Sequence, residues 1–483
     1  MKKAALLLVL LVSSTVFCSE MDELFTFLAQ NKLFNGVVVA ARGEKVIFHK
    51  AFGCANVEWG IANTLDARFE IGSVTKQFTA MLVLQLKEEG KIALDDPVGK
   101  YVPEIAPRFK DITLQQLLTH TSGLPSPSDV LPDYYKVHIK VGNSFAERLE
   151  QIKDGELQFP PGTSWAYCGF GYTVLGEIVA RVTGRSLEDN YKQRIFTPMG
   201  LQESGVYYDG VLVPKRAYGY QKRWDESYVP PVYFAQSRGM LGGGGLYSTA
   251  GDLLKWLKGV HGVAQGIREP FFKVHHRFAD GSGYCYGNFY EKYALAGDKQ
   301  VSVYFHGGSL PGTSALVMSV PELDTRIVLL HNGGMGRESF LHEVAVQMLH
   351  ILRGKPWEKP KVNLWEALVY PAFFHDMTEV RRAYRHLQTH RPDVYVFGTE
   401  QLLTLAAILQ GFGRGDRAGD ILRFNAGEYP GSFAGWLALG KYYLDQGKQK
   451  VALPELRKAL ELADGEQKEA VRELLKQIAD EEK

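Results

Sequence analysis

The sequence of 483 residues has little of what marks a disulfide-stapled, metal-built or strongly charged protein. It holds four cysteines, at positions 18, 54, 168 and 285. Spaced this widely, and leaving an odd number if the N-terminus is removed, they make neither a disulfide framework nor a zinc-ligand pattern. The 13 histidines include no H-E-x-x-H arrangement, and the adjacent pair His275-His276 cannot face one site from a regular strand. No metal and no cofactor is implied. An excess of one charge is also missing: 55 Lys and Arg stand against 54 Asp and Glu, a formal net charge of +1. No overall field draws in nucleic acid or an anionic membrane surface, which argues against nucleic-acid binding.

Long apolar runs are missing as well. The run Ala4 to Val12, preceded by Lys2 and Lys3, is too short to span a bilayer. It reads as an export signal over residues 1–19, cleaved near Cys18 to Glu20. The expectation is an exported protein, periplasmic or secreted, without a transmembrane anchor after processing. Hydrophobic residues at 45% and charged residues at 23% are ordinary globular proportions, and the length suggests two or three domains.

The chain changes character near residue 355. Before it, Asn35 to Ala40 and Lys45 to Phe48 read as a hairpin around Arg42-Gly43-Glu44. A second strand group follows far downstream at Val301 to His306, Ser314 to Val320 and Thr325 to His331. Strands at both ends with helices between them predict an α+β domain over 20–355, whose terminal strands share one antiparallel sheet. After Pro356 the strands disappear. Trp436, Leu439, Gly440, Tyr443, Ala452, Leu456 and Ala459 follow the tetratricopeptide spacing of large and small residues. Leu402, Leu405, Ala406, Leu409, Ala418, Leu422 and Pro430 repeat it about 34 residues earlier. The expected C-terminal organisation is a linker with a degenerate repeat over 356–397, then all-α tetratricopeptide-like repeats over 398–483, with Glu466 to Glu481 as a charged capping helix.

The chemistry gathers at Phe69-Glu70-Ile71-Gly72-Ser73-Val74-Thr75-Lys76. Ser73 and Lys76 form S-x-x-K at the start of an apolar helical run, so both side chains share one helix face and an amine is held beside a hydroxyl. The Ser73 N–H would also point out of a helix N-terminus, where partial positive charge suits a developing oxyanion. A lysine ordinarily titrates near 10.4, so serving as a base at neutrality needs a lowering of roughly three units, about 4 kcal/mol. Only desolvation and neighbouring polar groups can supply that.

Further stretches follow in order: Leu117-Leu118-Thr119-His120-Thr121-Ser122-Gly123-Leu124, Pro161-Gly162-Thr163-Ser164-Trp165-Ala166-Tyr167, Gly171-Tyr172 with Leu175-Gly176, and Gly243 to Ala250. With S-x-x-K, over about residues 30 to 350, the chain resembles the serine β-lactamase and penicillin-binding-protein hydrolases, in particular the branch with class C β-lactamases, D-alanyl-D-alanine peptidases and related esterases. The resemblance implies a five-stranded antiparallel sheet with a helical subdomain. It implies Ser73 as acylated nucleophile, Lys76 as general base and Tyr167 as proton shuttle to the leaving group. His306, Gly307 and Gly308 then occupy the third motif, K-T-G in the best-known members, and the N–H groups of Ser309 and Ser73 form the oxyanion hole.

Two departures bear on substrate. The second motif, usually Y-x-N, reads Tyr167-Cys168-Gly169, which removes an amide that would hold an acylamide carbonyl, a loss of about 1–3 kcal/mol. His306 in place of lysine weakens attraction for a substrate carboxylate by up to ~4 kcal/mol at close range. Both turn the expectation from penicillin hydrolysis toward acyl transfer from a small-molecule or peptide ester or amide, with D-amino-acid peptidase or β-lactamase as alternatives. A different alternative is a catalytically weak scaffold that works through its helical repeats, which suggest a protein partner. Beside these, Cys168 reads as a buried small filler, His120 as a structural hydrogen-bonding residue, Tyr247 as core, and His331-Asn332-Gly333-Gly334 as a strand end followed by a turn.

Overall fold

The computed structural model describes residues 19–131, 143–231, 238–294, 300–334, 337–411 and 413–481. The expected export signal lies, but for its last residue, outside the described residues. Two compact units form, one from the chain up to Lys222 with Tyr228–Pro360, the other from Arg223–Ser227 with the chain from Lys361 onward.

The first unit is organised by an antiparallel sheet. Its strands are β1 (Gly36–Arg42), β2 (Lys45–Phe52), β3 (His276–Arg277), β4 (Gly283–Tyr284), β5 (Phe289–Tyr293), β6 (Val301–Leu310), β7 (Thr313–Val320) and β8 (Thr325–His331). They lie in the order β3-β4-β5-β6-β7-β8-β1-β2. The early hairpin thus joins the late strands through Val38 opposite Leu329, which brings the two ends of this unit into one sheet. The implied count of five strands is exceeded. Of the three additions, β3 and β4 are two-residue strands, too short to leave an alternation in the sequence, and β5 is a five-residue strand that the sequence reading passed over.

The central strands are apolar without alternation because both faces are covered. All eight residues of β7 are buried, as are six of the seven in β1. Helices α3 (Ala250–Gly259) and α4 (Glu338–Leu352) pack against these strands. Helix α1 (Thr75–Glu88) is buried on every side over Thr75 to Leu84, so no polar face anchors it at the surface. It continues from a 3₁₀ turn, Gly72–Val74, which carries Ser73. Helix α2 (Gly169–Thr183) begins just after Tyr167 and Cys168 and packs on α1.

One close approach fixes Ser73 relative to the sheet. The turn at Gly72–Val74 packs directly on β6. A Cβ on Gly308 would collide with the Ile71 carbonyl oxygen and stand 3.0 Å from the Ser73 nitrogen. Gly72 has φ +49, and a Cβ there would lie 2.9 Å from the Ser309 nitrogen. Only glycine meets both the left-handed angle and the contact.

The second unit is helical: α5 (Leu364–Phe374), α6 (Met377–His390), α7 (Thr399–Gly411), α8 (Gly415–Glu428), α9 (Phe433–Asp445), α10 (Gln449–Leu462) and α11 (Gly465–Glu481). Helix α7 packs with α8, and α9 with α10, as successive hairpins. Leu402, Leu405, Ala406, Leu409, Leu439, Ala452, Leu456 and Ala459 are buried between them. Strand structure does not vanish entirely after Pro356: Val362–Asn363 pairs in parallel with Tyr395–Val396. The segment Arg223–Ser227 belongs to this unit too. Within it the Trp224 indole N–H donates to Glu379 at 2.9 Å, and Arg391 pairs with Glu226. Nothing in the sequence pattern announces that insertion.

Replacing Gly308 with Ala should lower unfolding free energy by about 1–3 kcal/mol, because backbone rather than a flexible side chain must yield. Urea denaturation of the purified variant measures it.

Candidate active site

Ser73 sits at the 3₁₀ turn and Lys76 in the first turn of α1, so helical geometry alone brings them together. The Lys76 Nζ lies 2.8 Å from Ser73 Oγ and donates to the Gly243 carbonyl at 2.6 Å. It is 1% exposed. Burial brings its pKa down to about 7, opposed by the Cys168 sulfur, and among the described residues no carboxylate holds the ammonium charged. The shift is of the size that a general base at neutral pH requires. In the neutral amine the direction of the contact reverses: the Ser73 hydroxyl can donate to the nitrogen lone pair while an amine hydrogen stays on Gly243.

Tyr167 stands across the cleft, its ring 4.9 Å from Lys76 Nζ. The residue is 42% exposed. Desolvation of its hydroxyl pushes the pKa well above the usual phenol value, against the lowering contact with Ser73. Of the two groups beside Ser73, the tyrosine therefore keeps its proton at neutral pH and the lysine can give its own up.

His306 projects from β6 and is buried. Burial first, then the nearby Lys76 charge, lowers its pKa to about 3, so it is neutral. Its partners assign the tautomer. The Cys168 backbone N–H donates to His120 Nδ1 at 3.0 Å, which leaves the His120 Nε2–H for the Tyr284 hydroxyl at 3.1 Å. Tyr284 in turn can donate to His306 Nε2 across 3.4 Å, the longest link, while His306 Nδ1–H reaches the Gly307 carbonyl at 2.6 Å. His120 holds φ +60, unusual for a residue with a Cβ. The structural role expected for His120 holds, in a place that ties three segments of the site together.

Cys168 does more than fill space. It is the N-cap of α2, and its sulfur accepts from the Gly171 N–H at 3.4 Å. At Gly169, where the amide of Y-x-N is missing, a Cβ would find one neighbour within 4 Å, Lys76 Nζ at 3.9 Å. The site has room for a side chain there.

A cavity of about 650 Å³ opens over Ser73, Tyr167, His306, Gly307 and Ser309. Gly308 lies behind it, against Ile71. Sequence reading missed Tyr284, the Gly243 carbonyl, and the carboxyls Glu291 and Glu338 on the cavity wall. Gly243 opens one of the quoted stretches, but a backbone carbonyl has no side-chain signature; the other three stand in no motif, and their positions depend on how the sheet folds back.

A family model described as Beta-lactamase matches residues 22–347. The chain belongs to the β-lactamase family. Penicillin-binding protein 4* of Bacillus subtilis (strain 168) is 28% identical over 358 residues, covering 71% of this chain and 77% of its own. Esterase EstB of Burkholderia gladioli is 31% identical over 265 residues, covering 48% and 67%. The crystal structure of a penicillin-binding protein from Bacillus halodurans superposes with a TM-score of 0.59 at 26% identity, covering 67% of this chain and 99% of that one. This β-lactamase family member is accordingly a serine hydrolase. No helix among the described residues is long and apolar enough to cross a membrane.

Tyr284→Phe leaves the His120 Nε2–H without its acceptor and His306 Nε2 without its donor, and should cost about 1–3 kcal/mol of stability. Equilibrium unfolding in urea reads this directly, with unchanged far-UV circular dichroism expected.

Proposed function

We propose that the protein is an exported hydrolase that cleaves esters or uncharged amides through an acyl-Ser73 intermediate. The observation that carries this reading is a lysine with a pKa of about 7 lying 2.8 Å from a serine hydroxyl. Neutral Lys76 takes the Ser73 proton as Oγ bonds to the acyl carbon. The carbonyl oxygen becomes an oxyanion, and the N–H groups of Ser73 and Ser309 receive it. As the bond to the leaving group breaks, the proton passes from Lys76 by way of Tyr167 to that group. Water then attacks the acyl-enzyme, with the same residues moving its proton, and Ser73 is restored.

The substrate preference rests on two absences. Gly169 offers no amide for an acylamide carbonyl, and neutral His306 offers no charge to a carboxylate. An esterase among the relatives agrees with this choice. The C-terminal unit is read as a tetratricopeptide-like module for a protein partner, since stacked helical hairpins present a concave face. Export follows the N-terminal reading and the kinship with a penicillin-binding protein.

Ser73→Ala should reduce turnover of a short-chain p-nitrophenyl ester by roughly four orders of magnitude or more, and abolish the mass adduct formed with a fluorophosphonate. Retained turnover in that variant would sink the reading. Because the active form is the deprotonated amine, kcat/KM should climb with pH below a midpoint near 7 and level off above it. A third outcome concerns Gly169: Gly169→Asn fits the space and should raise acylation by benzylpenicillin relative to the ester, by roughly tenfold if one hydrogen bond is regained.

A further inference from the structure

The third-motif side of the cavity is shaped by a residue outside every motif. Glu338 is the first residue of α4, and a Cβ on Gly307 would stand 2.7 Å from its Cγ and 2.8 Å from its Cβ. The side chain of Glu338 therefore occupies the space that a threonine would need at the middle of K-T-G. Its carboxyl is hydrogen-bonded by the Ser309 side chain, and its charge reaches the Tyr167 hydroxyl. It faces both β6, which carries His306 and Ser309, and Tyr167.

The charge balance of this wall is the reverse of one built to receive an anion. His306 is neutral at physiological pH. Among the described residues lining the cavity there is no lysine or arginine, and there are two carboxyls. Glu291 already meets His342 Nε2 at 2.8 Å. Among the described residues the side-chain partner of Glu338 is the neutral Ser309 hydroxyl, and no cation there acts on it. Burial disfavours its charged form, so a cation arriving beside it would be favoured twice, by the attraction itself and by relieving that penalty. The rings of Phe289 and Phe305, stacked with centroids 5.6 Å apart, line the same cavity and give it an aromatic wall.

We propose that Glu338 selects substrates by charge: its carboxylate receives an ammonium group carried on the acyl portion of an ester or amide, and it turns away acyl donors that present a carboxylate there. This rests on the acyl-Ser73 reading and adds the chemical class of the acyl group. Specificity then comes from an attractive and a repulsive contact at one residue.

The test uses three p-nitrophenyl esters matched in length, of 6-aminohexanoate, hexanoate and adipate, with full-length protein and Glu338→Gln. The expected order of kcat/KM is ammonium, neutral, carboxylate. Glu338→Gln should lower the ammonium ester by roughly tenfold, raise the carboxylate ester, and leave the neutral one within about threefold. An equal fall for all three esters would mean a structural role, and an unchanged order would mean no role. Both overturn the proposal. A second arm does not need turnover. Calorimetric binding of 3-phenylpropylamine and 3-phenylpropionate to Ser73→Ala should favour the amine, and adding Glu338→Gln should erase the difference. Equal binding to Ser73→Ala overturns the proposal. Discrimination in binding together with no ester turnover by the unaltered protein would leave charge selection standing and remove the acyl-serine reading instead.

Discussion

The removal of one amine from water governs the catalytic half of this protein. Lys76 lies wholly inside, and the descent of its pKa to about 7 is a desolvation effect, with no nearby charge assisting it. Relative to an exposed lysine, that displacement amounts to on the order of 5 kcal/mol against the charged form. A cost of this size is comparable to the whole net stability of many domains. It has to be offset by the core around α1, where Phe78, Met81, Leu82 and Leu84 are fully enclosed and Phe78 stacks on Trp256 at 4.1 Å. Stability and reactivity are linked here through one side chain.

Enclosure alone would produce only an inert buried amine. What makes it chemistry is the close approach of the Ser73 turn to β6, which leaves no room for a Cβ at Gly308. The sheet brings His306 and Ser309 up to Ser73, and the chain of contacts from Cys168 through His120 and Tyr284 ties the second and third motifs together. Most of the groups around the lysine are neutral, His120 and His306 by burial and Tyr167 by retention of its proton. The cleft thus keeps few charges.

Part of this was legible in the sequence. Ser73 and Lys76 are three residues apart, and helical geometry makes such neighbours meet without help from the rest of the chain. The long strands β1, β7 and β8 announced themselves as apolar runs, since burial on both faces removes the need for alternation. Strands β3 and β4 could not, being two residues each. Tyr284 lies 164 positions from His120, and its role exists only once the sheet is assembled. Glu338 looks in sequence like an ordinary acidic first-turn residue, which it also is. In the C-terminal unit the spacing of small and large residues foretold helical hairpins, while the inclusion of Arg223–Ser227 depends on a contact no local pattern encodes.

The contact between Gly307 and Glu338 also constrains how this cleft can change over generations. A lineage acquiring threonine at 307 would meet the Glu338 side chain before it gained any use for the new hydroxyl. Trimming Glu338 first would open a void beside Ser309 and expose the motif strand without yet supplying a replacement. The two side chains compete for a single volume, so a threonine at 307 requires a displaced or smaller residue at 338, and conversion to a K-T-G cleft takes a change at both positions.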